Sequence, residues 1–354
     1  MNRLRRKIIE RINAQGTIPF KTYMSMCLYD EQLGYYRSRE RLGREGDFFT
    51  SAHLGPVIGR VLANRLMAVA PLEGLLNVVE MGAGQGLIAM DLMDYMAQNQ
   101  PSLYQRMRYH FVEQNPEMSG ESRERLSAHL DHVLFHETLD ELPEMVWSFV
   151  FSNEFFDAFP VHLVACVDGR LYEVHVGLLQ QEYDLVHQPL SPEVEQEIQV
   201  LGIQVPEGCT VEVNSDIEPV YRTLSRRIEQ IHMITIDYGY TQDLLYHPDR
   251  PQGTLMGYHR HMAYDNVLQM EGEMDLTSHV NFDALIHHGD QYGIEAAYFK
   301  NQRNYLMDHG LFDVFRDGQE PTTQEAYQLK TLLLPGQMGD VFKVLEQVKR
   351  GGTP

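Results

Sequence analysis

The run Leu75-Leu76-Asn77-Val78-Val79-Glu80 breaks into Met81-Gly82-Ala83-Gly84-Gln85-Gly86, and residues of helical spacing follow over 87–96. An apolar strand, a glycine-rich turn and a helix start are the local signature of a βα unit in a parallel sheet. The strand carries no polar alternation, which fits a strand covered on both faces. Further short apolar runs lie at 109–113, 147–152 and 233–237, with helical stretches at 121–130 and 218–230 between them. Residues 293–299 and 342–348 add two late strand candidates. This alternation predicts an α/β fold with a mostly parallel sheet and helices on both faces.

The chain of 354 residues suffices for two ordinary domains, or for one enlarged by insertions. We divide it into a helical N-terminal extension, residues 1–73, and a core, residues 74–350. Inside the extension, residues 37–51 (RSRERLGREGDFFTS) form a charged, glycine-bearing loop of a length that often carries function. The core is interrupted at 162–213, which reads as β-rich and then helical. It is interrupted again at 239–281, rich in Tyr, His, Gly and Met without clear period. Both read as insertions into one domain. No repeat of about 20–50 residues is visible, which excludes solenoids and propellers.

Hydrophobic residues are 43% of the chain, enough for a full core. Lys and Arg number 29 against 50 Asp and Glu, a net charge of −21. A protein that holds nucleic acid by bulk charge needs the opposite balance, so no such partner is expected. No stretch approaches the ~18 apolar residues of a membrane span. Residues 1–16 lack the apolar centre of a secretory signal. Ile8, Ile9 and Ile12 mark one face of an amphipathic helix there, which reads against a mitochondrial presequence. Cys27, Cys166 and Cys209 are isolated, as in a reducing compartment, and offer no zinc pattern. A cytoplasmic, metal-free protein is the expectation.

The glycine loop permits a tight turn and close approach of a ligand to the backbone, next to the N–H donors of a helix start. A dinucleotide is the obvious rival ligand, and a bare structural turn remains the bland alternative. The spacing here is G-x-G-x-G over Gly82, Gly84 and Gly86, with Glu80 two residues earlier. The dinucleotide fingerprint is G-x-G-x-x-G. An acid at Glu80 suits a ligand ammonium group, which favours S-adenosylmethionine over NAD. Glu113 ends the next strand, where a carboxylate can accept both ribose hydroxyls.

Ser152-Asn153-Glu154-Phe155-Phe156-Asp157-Ala158-Phe159-Pro160 follows another apolar strand. Carboxylates among aromatics are costly to bury without a partner, and a cationic substrate group is one such partner. Asp237-Tyr238 ends a further strand and either joins the rim or makes an ordinary turn. Arg260, His261 and His279, in the second interruption, are read as surface or core residues before proton carriers.

With these motifs the chain resembles the MidA-type family of S-adenosylmethionine-dependent methyltransferases, which includes the mitochondrial complex I assembly-factor methyltransferase. The resemblance runs over about 17–348. It rests on Leu28-Tyr29-Asp30, Gly34-Tyr35-Tyr36, Gly46-Asp47-Phe48 with Thr50-Ser51, the glycine loop, and Asn153-Glu154-Phe155-Phe156-Asp157-Ala158. Ile236-Asp237-Tyr238-Gly239, Asp275-Leu276-Thr277 and Gln337-Met338-Gly339 complete it. Phe159 and Asn281 depart from the pattern, where a leucine and an aspartate are expected; Asn281 is left out of the site.

The resemblance implies a class I methyltransferase, Rossmann-like, with a helical N-terminal extension and insertions. It also implies methylation of an arginine on a protein client, a respiratory complex I subunit in the mitochondrial relative. Glu80, Gly82, Gly84, Gly86, Glu113 and Asn153 are the candidate cofactor residues. Glu154, Asp157 and Asp47 are the candidate catalytic carboxylates, with Phe48, Phe155 and Phe156 as walls. Carboxylates can orient a guanidinium bidentately. S-adenosylhomocysteine would be the product. A small-molecule acceptor, or an assembly factor that binds S-adenosylmethionine without turnover, are the competing readings.

Overall fold

The computed structural model describes residues 2–37, 56–312, 323–334 and 338–351. All but Arg37 of the loop expected at 37–51, with Asp47 and Phe48, lies outside the described residues, as does Gln337. The chain divides into two compact units. One takes the described residues of Met1–Phe49, Phe156–Glu218 and Gly239–His287; the other takes those of Thr50–Phe155, Pro219–Tyr238 and His288–Pro354.

The second unit is built on a sheet whose strands we number β1 (Leu76–Met81), β2 (Met107–Val112), β3 (Val133–His136), β4 (Met145–Asn153), β5 (Ile228–Tyr240), β6 (Glu295–Asn301) and β7 (Phe342–Lys349). Their order is β3-β2-β1-β4-β5-β7-β6. The first five run parallel, and β7 is antiparallel to both β5 and β6. All six residues of β1 are buried, which is why its sequence shows no alternation. The helix Leu87–Asn99 buries Ile88, Ala89, Leu92, Met93 and Met96, one face at helical spacing. With the helix Val57–Val69 it covers one face of the sheet in a cluster that includes Val78, Tyr109, Phe151 and Ile236.

Strand order reverses between β1 and β4. In open α/β sheets, ligands bind outside the carboxyl ends of the strands at such a point. The glycine loop leaves β1 and the Asn153-Glu154 turn leaves β4, on that same side. Register sets the two strand ends level, with Glu80 opposite Phe151 and Met81 opposite Ser152.

The first unit holds an antiparallel sheet of Ile18–Pro19, Arg170–Leu179, His162–Val167 and Thr210–Val213, with Glu182–Gln188 along the far side of Arg170–Leu179. The helix Arg3–Gln15 buries Leu4, Ile8, Ile9 and Ile12, the face legible in the sequence. It shares a core with the helix Phe20–Tyr29 and with Leu163, Ala165, Val174 and Val176 of the sheet. The structure therefore draws its division elsewhere than residue 73. The helices before it join the 162–213 stretch, and Val57–Val69 joins the parallel sheet. The aperiodic 239–281 stretch contains a small sheet of Met256–His259 between Met262–Tyr264 and Asp275–Thr277. Its strands are too short to show a period. Arg260 and His261 turn its hairpin at φ 50° and 61°, so that turn is their structural role.

Candidate functional site

Gly82, Gly84 and Gly86 adopt φ of 66°, 52° and 71°, the left-handed region that side chains resist. A Cβ on Gly82 would lie 2.7 Å from the Phe155 ring, so that ring presses directly on the loop. A Cβ on Gly84 would meet nothing within 4 Å, so neighbouring atoms leave its outer face open. The turn is closed from within: the Ala83 N–H donates to the Val112 carbonyl at 3.1 Å and the Gly86 N–H to the Ala83 carbonyl at 2.9 Å. Gly86 is the N-cap of Leu87–Asn99 and offers no side-chain cap. A helix start without such a cap is suited to an anionic ligand group.

Two carboxylates flank the loop. Glu113 accepts from the Gly84 N–H at 2.9 Å through Oε2 and from the Asn115 N–H at 2.8 Å through Oε1. It ties the glycine loop to the end of β2 and is fixed in place by the same bonds. Glu80 is 4% exposed and accepts from the Tyr109 hydroxyl at 2.7 Å. Burial pushes its carboxyl up to about 8, with the Tyr109 bond opposing and the Glu113 charge adding. A cation brought against Glu80 would relieve both penalties. Tyr109 was invisible to motif reading, because its partnership depends on the register of neighbouring strands.

At the end of β4, Glu154 has φ 52°, an uncommon conformation for a residue with a side chain. Its N–H donates to the Ile236 carbonyl at 2.9 Å, and Asn153 Nδ2 donates to its Oε1 at 3.1 Å. The Phe155 N–H donates to Asp237 Oδ2 at 3.2 Å, while the Tyr238 N–H donates to Oδ1 at 3.0 Å. Asp237 has no exposed surface. It is a buried clasp that closes the Glu154 turn onto β5, rather than a rim group. An acid at a strand end followed by a turn was the only sequence signal for it.

The structure thus brings together Glu80, the three glycines, Glu113, Asn153, Glu154 and Phe155 in the second unit. Asp157 belongs to the first unit, where it is 4% exposed and its carbonyl accepts from the Ser278 N–H at 3.1 Å. Phe156 is buried in that unit and its ring packs near Phe159, centroids 5.3 Å apart. The His279 N–H donates to Thr254 Oγ1 at 3.0 Å.

A sheet ordered β3-β2-β1-β4-β5-β7-β6, with a glycine loop and an acid at the ends of β1 and β2, defines an S-adenosylmethionine-dependent methyltransferase of class I. The family described as Putative S-adenosyl-L-methionine-dependent methyltransferase matches residues 57–300, and the chain belongs to it. A crystal structure from Burkholderia thailandensis, bound to S-adenosyl-homocysteine, superposes with a TM-score of 0.88 at 28% identity, covering 99% of this chain and 92% of that one. The Drosophila melanogaster protein named Protein arginine methyltransferase NDUFAF7 homolog, mitochondrial, is 26% identical over 97% of this chain and 84% of its own length. The Danio rerio protein named Protein arginine methyltransferase NDUFAF7, mitochondrial, is 25% identical over 95% of this chain and 84% of its own length. The cofactor is S-adenosylmethionine.

Proposed function

We propose that the chain methylates a nitrogen of an arginine in a protein client. The observation that carries this reading is Glu154: a carboxylate held at φ 52°, one residue before the ring that presses on Gly82 of the cofactor loop. The names of the relatives, which are protein arginine methyltransferases, support the same acceptor.

In this reading Glu80 takes the ammonium of the cofactor and Glu113 its ribose hydroxyls. The glycine loop lies along its backbone-facing side and Asn153 closes the β4 side. When bound, S-adenosylmethionine supplies a methyl on a positively charged sulfur that is a good leaving group. A guanidinium keeps its proton at ordinary pH, with pKa above ~12, and so is a poor nucleophile unaided. Glu154 orients it, favours attack by one nitrogen, and accepts the proton which that nitrogen gives up as the N–C bond forms. Asp157 and Asp47 are the further acceptor carboxylates. The client presents a basic or arginine-containing segment, and a net charge of −21 suits attraction of such a segment. We take the client to be a respiratory complex I subunit, met in the cytoplasm of a bacterial-type cell.

Labelled methyl from S-adenosylmethionine, transferred into a lysate and followed by hydrolysis of the protein fraction, tests this directly. Label in methylarginine is the expected result, and Glu154→Gln should suppress it while cofactor affinity holds. Label confined to small molecules would move the acceptor to another class, and no label at all would leave a binding protein without turnover.

A further inference from the structure

The helix Pro116–Arg125 of the second unit lacks the apolar face that holds an ordinary surface helix. Met118 is its only large apolar residue, Gly120 interrupts its middle, and its one fully buried side chain is that of Ser122. What ties it to the unit is largely polar, and most of that goes to the glycine loop. The Ser122 hydroxyl shares its one proton between the Gly84 carbonyl at 3.0 Å and the Met118 carbonyl at 2.8 Å. On the same helix face, three residues on, the Arg125 guanidinium donates to the Gln85 carbonyl. A Cβ on Gly86 would lie 3.3 Å from the Ser122 side chain, so helix and loop pack closely. At its start the helix is capped by Asn115, which accepts from the Glu117 N–H at 3.0 Å and gives its own N–H to Glu113. Glu113 in turn holds the Gly84 N–H, so both backbone polar groups of Gly84 are taken by one stretch of chain, 113–125. Away from the loop, Arg123 lies over the Phe135 ring of β3, 3.8 Å from its centroid.

We propose that Ser122 and Arg125 are positioning residues for the cofactor. They turn the Gly84 and Gln85 carbonyls toward the helix and so set the peptide planes that line the seat. A trans peptide carries its carbonyl and the following N–H on opposite sides, so fixing one fixes the other. This rests on the glycine loop as the seat of S-adenosylmethionine. The coupling is reciprocal: if the ordered helix strengthens cofactor binding, bound cofactor strengthens the helix by the same factor. A helix with so little apolar burial opens at low cost, which makes that factor readable.

The test is hydrogen exchange over 117–126 of the full chain, without and with saturating S-adenosylhomocysteine, beside calorimetric titration of the same ligand. Exchange across the helix should slow about tenfold when the ligand is bound. Ser122→Ala should weaken the ligand about fivefold and Arg125→Met about tenfold, the worth of a neutral and of a charged hydrogen bond. Both should also blunt the slowing of exchange. A merely structural pair would lower the melting temperature and leave affinity and the helix's response to ligand as they were. That result, or exchange over 117–126 that ignores the ligand in the unaltered chain, overturns the proposal. Gly84→Val separates it from the seat itself. If Gly84→Val binds as tightly as the unaltered chain, the loop is not the seat and the proposal falls with it. If Gly84→Val loses the ligand while Ser122→Ala and Arg125→Met keep it in full, the seat stands and the positioning role falls alone.

Discussion

In the role proposed for it, Glu80 must be ionised, yet burial raises its carboxyl to about 8 in the free protein. Gripping an ammonium therefore requires release of a proton below that pH. Affinity for S-adenosylmethionine should fall by about tenfold per pH unit on going from pH 7 to 6, the limit for one coupled proton. Glu80→Gln should flatten that slope. Calorimetry in two buffers of different ionisation enthalpy would show the proton, and a pH-independent affinity would remove the role assigned to Glu80. Glu154 poses the complementary question, because its left-handed backbone at φ 52° is kept despite its cost. Glu154→Gly should raise stability by about 1 kcal/mol, strain relief outweighing the added chain entropy, while turnover disappears. Denaturant unfolding checks the first half, and a loss of stability would mean that the turn stores no strain.

The Glu154 turn is an element held by another element, since Asp237 of β5 receives the N–H groups of Phe155 and Tyr238. Asp237→Asn replaces one acceptor oxygen with a donor that faces an N–H. It should cost about 1–3 kcal/mol of stability and lower turnover more than cofactor affinity, measured side by side. Equal losses in both would make Asp237 a purely structural clasp. How much of this was legible varies with the element. β1, β2, β4 and β5 were found because each holds a short, mostly apolar run, although β5 extends from Ile228 to Tyr240, well past 233–237. β3 was missed, because its apolar run, Val133-Leu134-Phe135, is only three residues long and only Val133 of this edge strand is buried. The helix expected over 121–130 is Pro116–Arg125 followed by a 3-10 turn, Ser127–His132. The glycine loop and its acids were legible because their chemistry is local. Tyr109 and Asp237 were not, since each acts on a residue brought to it only by strand pairing.

At the scale of the molecule, the two units were not legible as drawn, because hydrophobic spacing shows which face of a helix is buried but not which core receives it. Among the described residues no helix is long and apolar enough to cross a membrane. Stability in the second unit has an acid-sensitive anchor. Glu346 of β7 is 4% exposed and meets Arg65 at 2.5 Å and His232 at 2.9 Å. Burial alone would raise its carboxyl, but the bonds and charges of His232 and Arg65 win and hold it down to about 2, against 4.5 for a free side chain. The stabilisation it adds is thus whole above the free value and disappears as pH falls toward about 2. Glu346→Gln should lower stability at neutral pH and shallow the acid limb of a stability–pH curve; an unchanged limb would assign acid sensitivity elsewhere. Phe155 has a wider consequence for the catalytic cycle. Its ring lies against Gly82 and its neighbour is Glu154, so a ligand settling into the glycine loop would bear on the stance of the carboxylate proposed to meet the acceptor. On the roles proposed here, donor and client are then not expected to arrive as independent visitors: the donor should load first and ready the berth, and the spent donor should depart last.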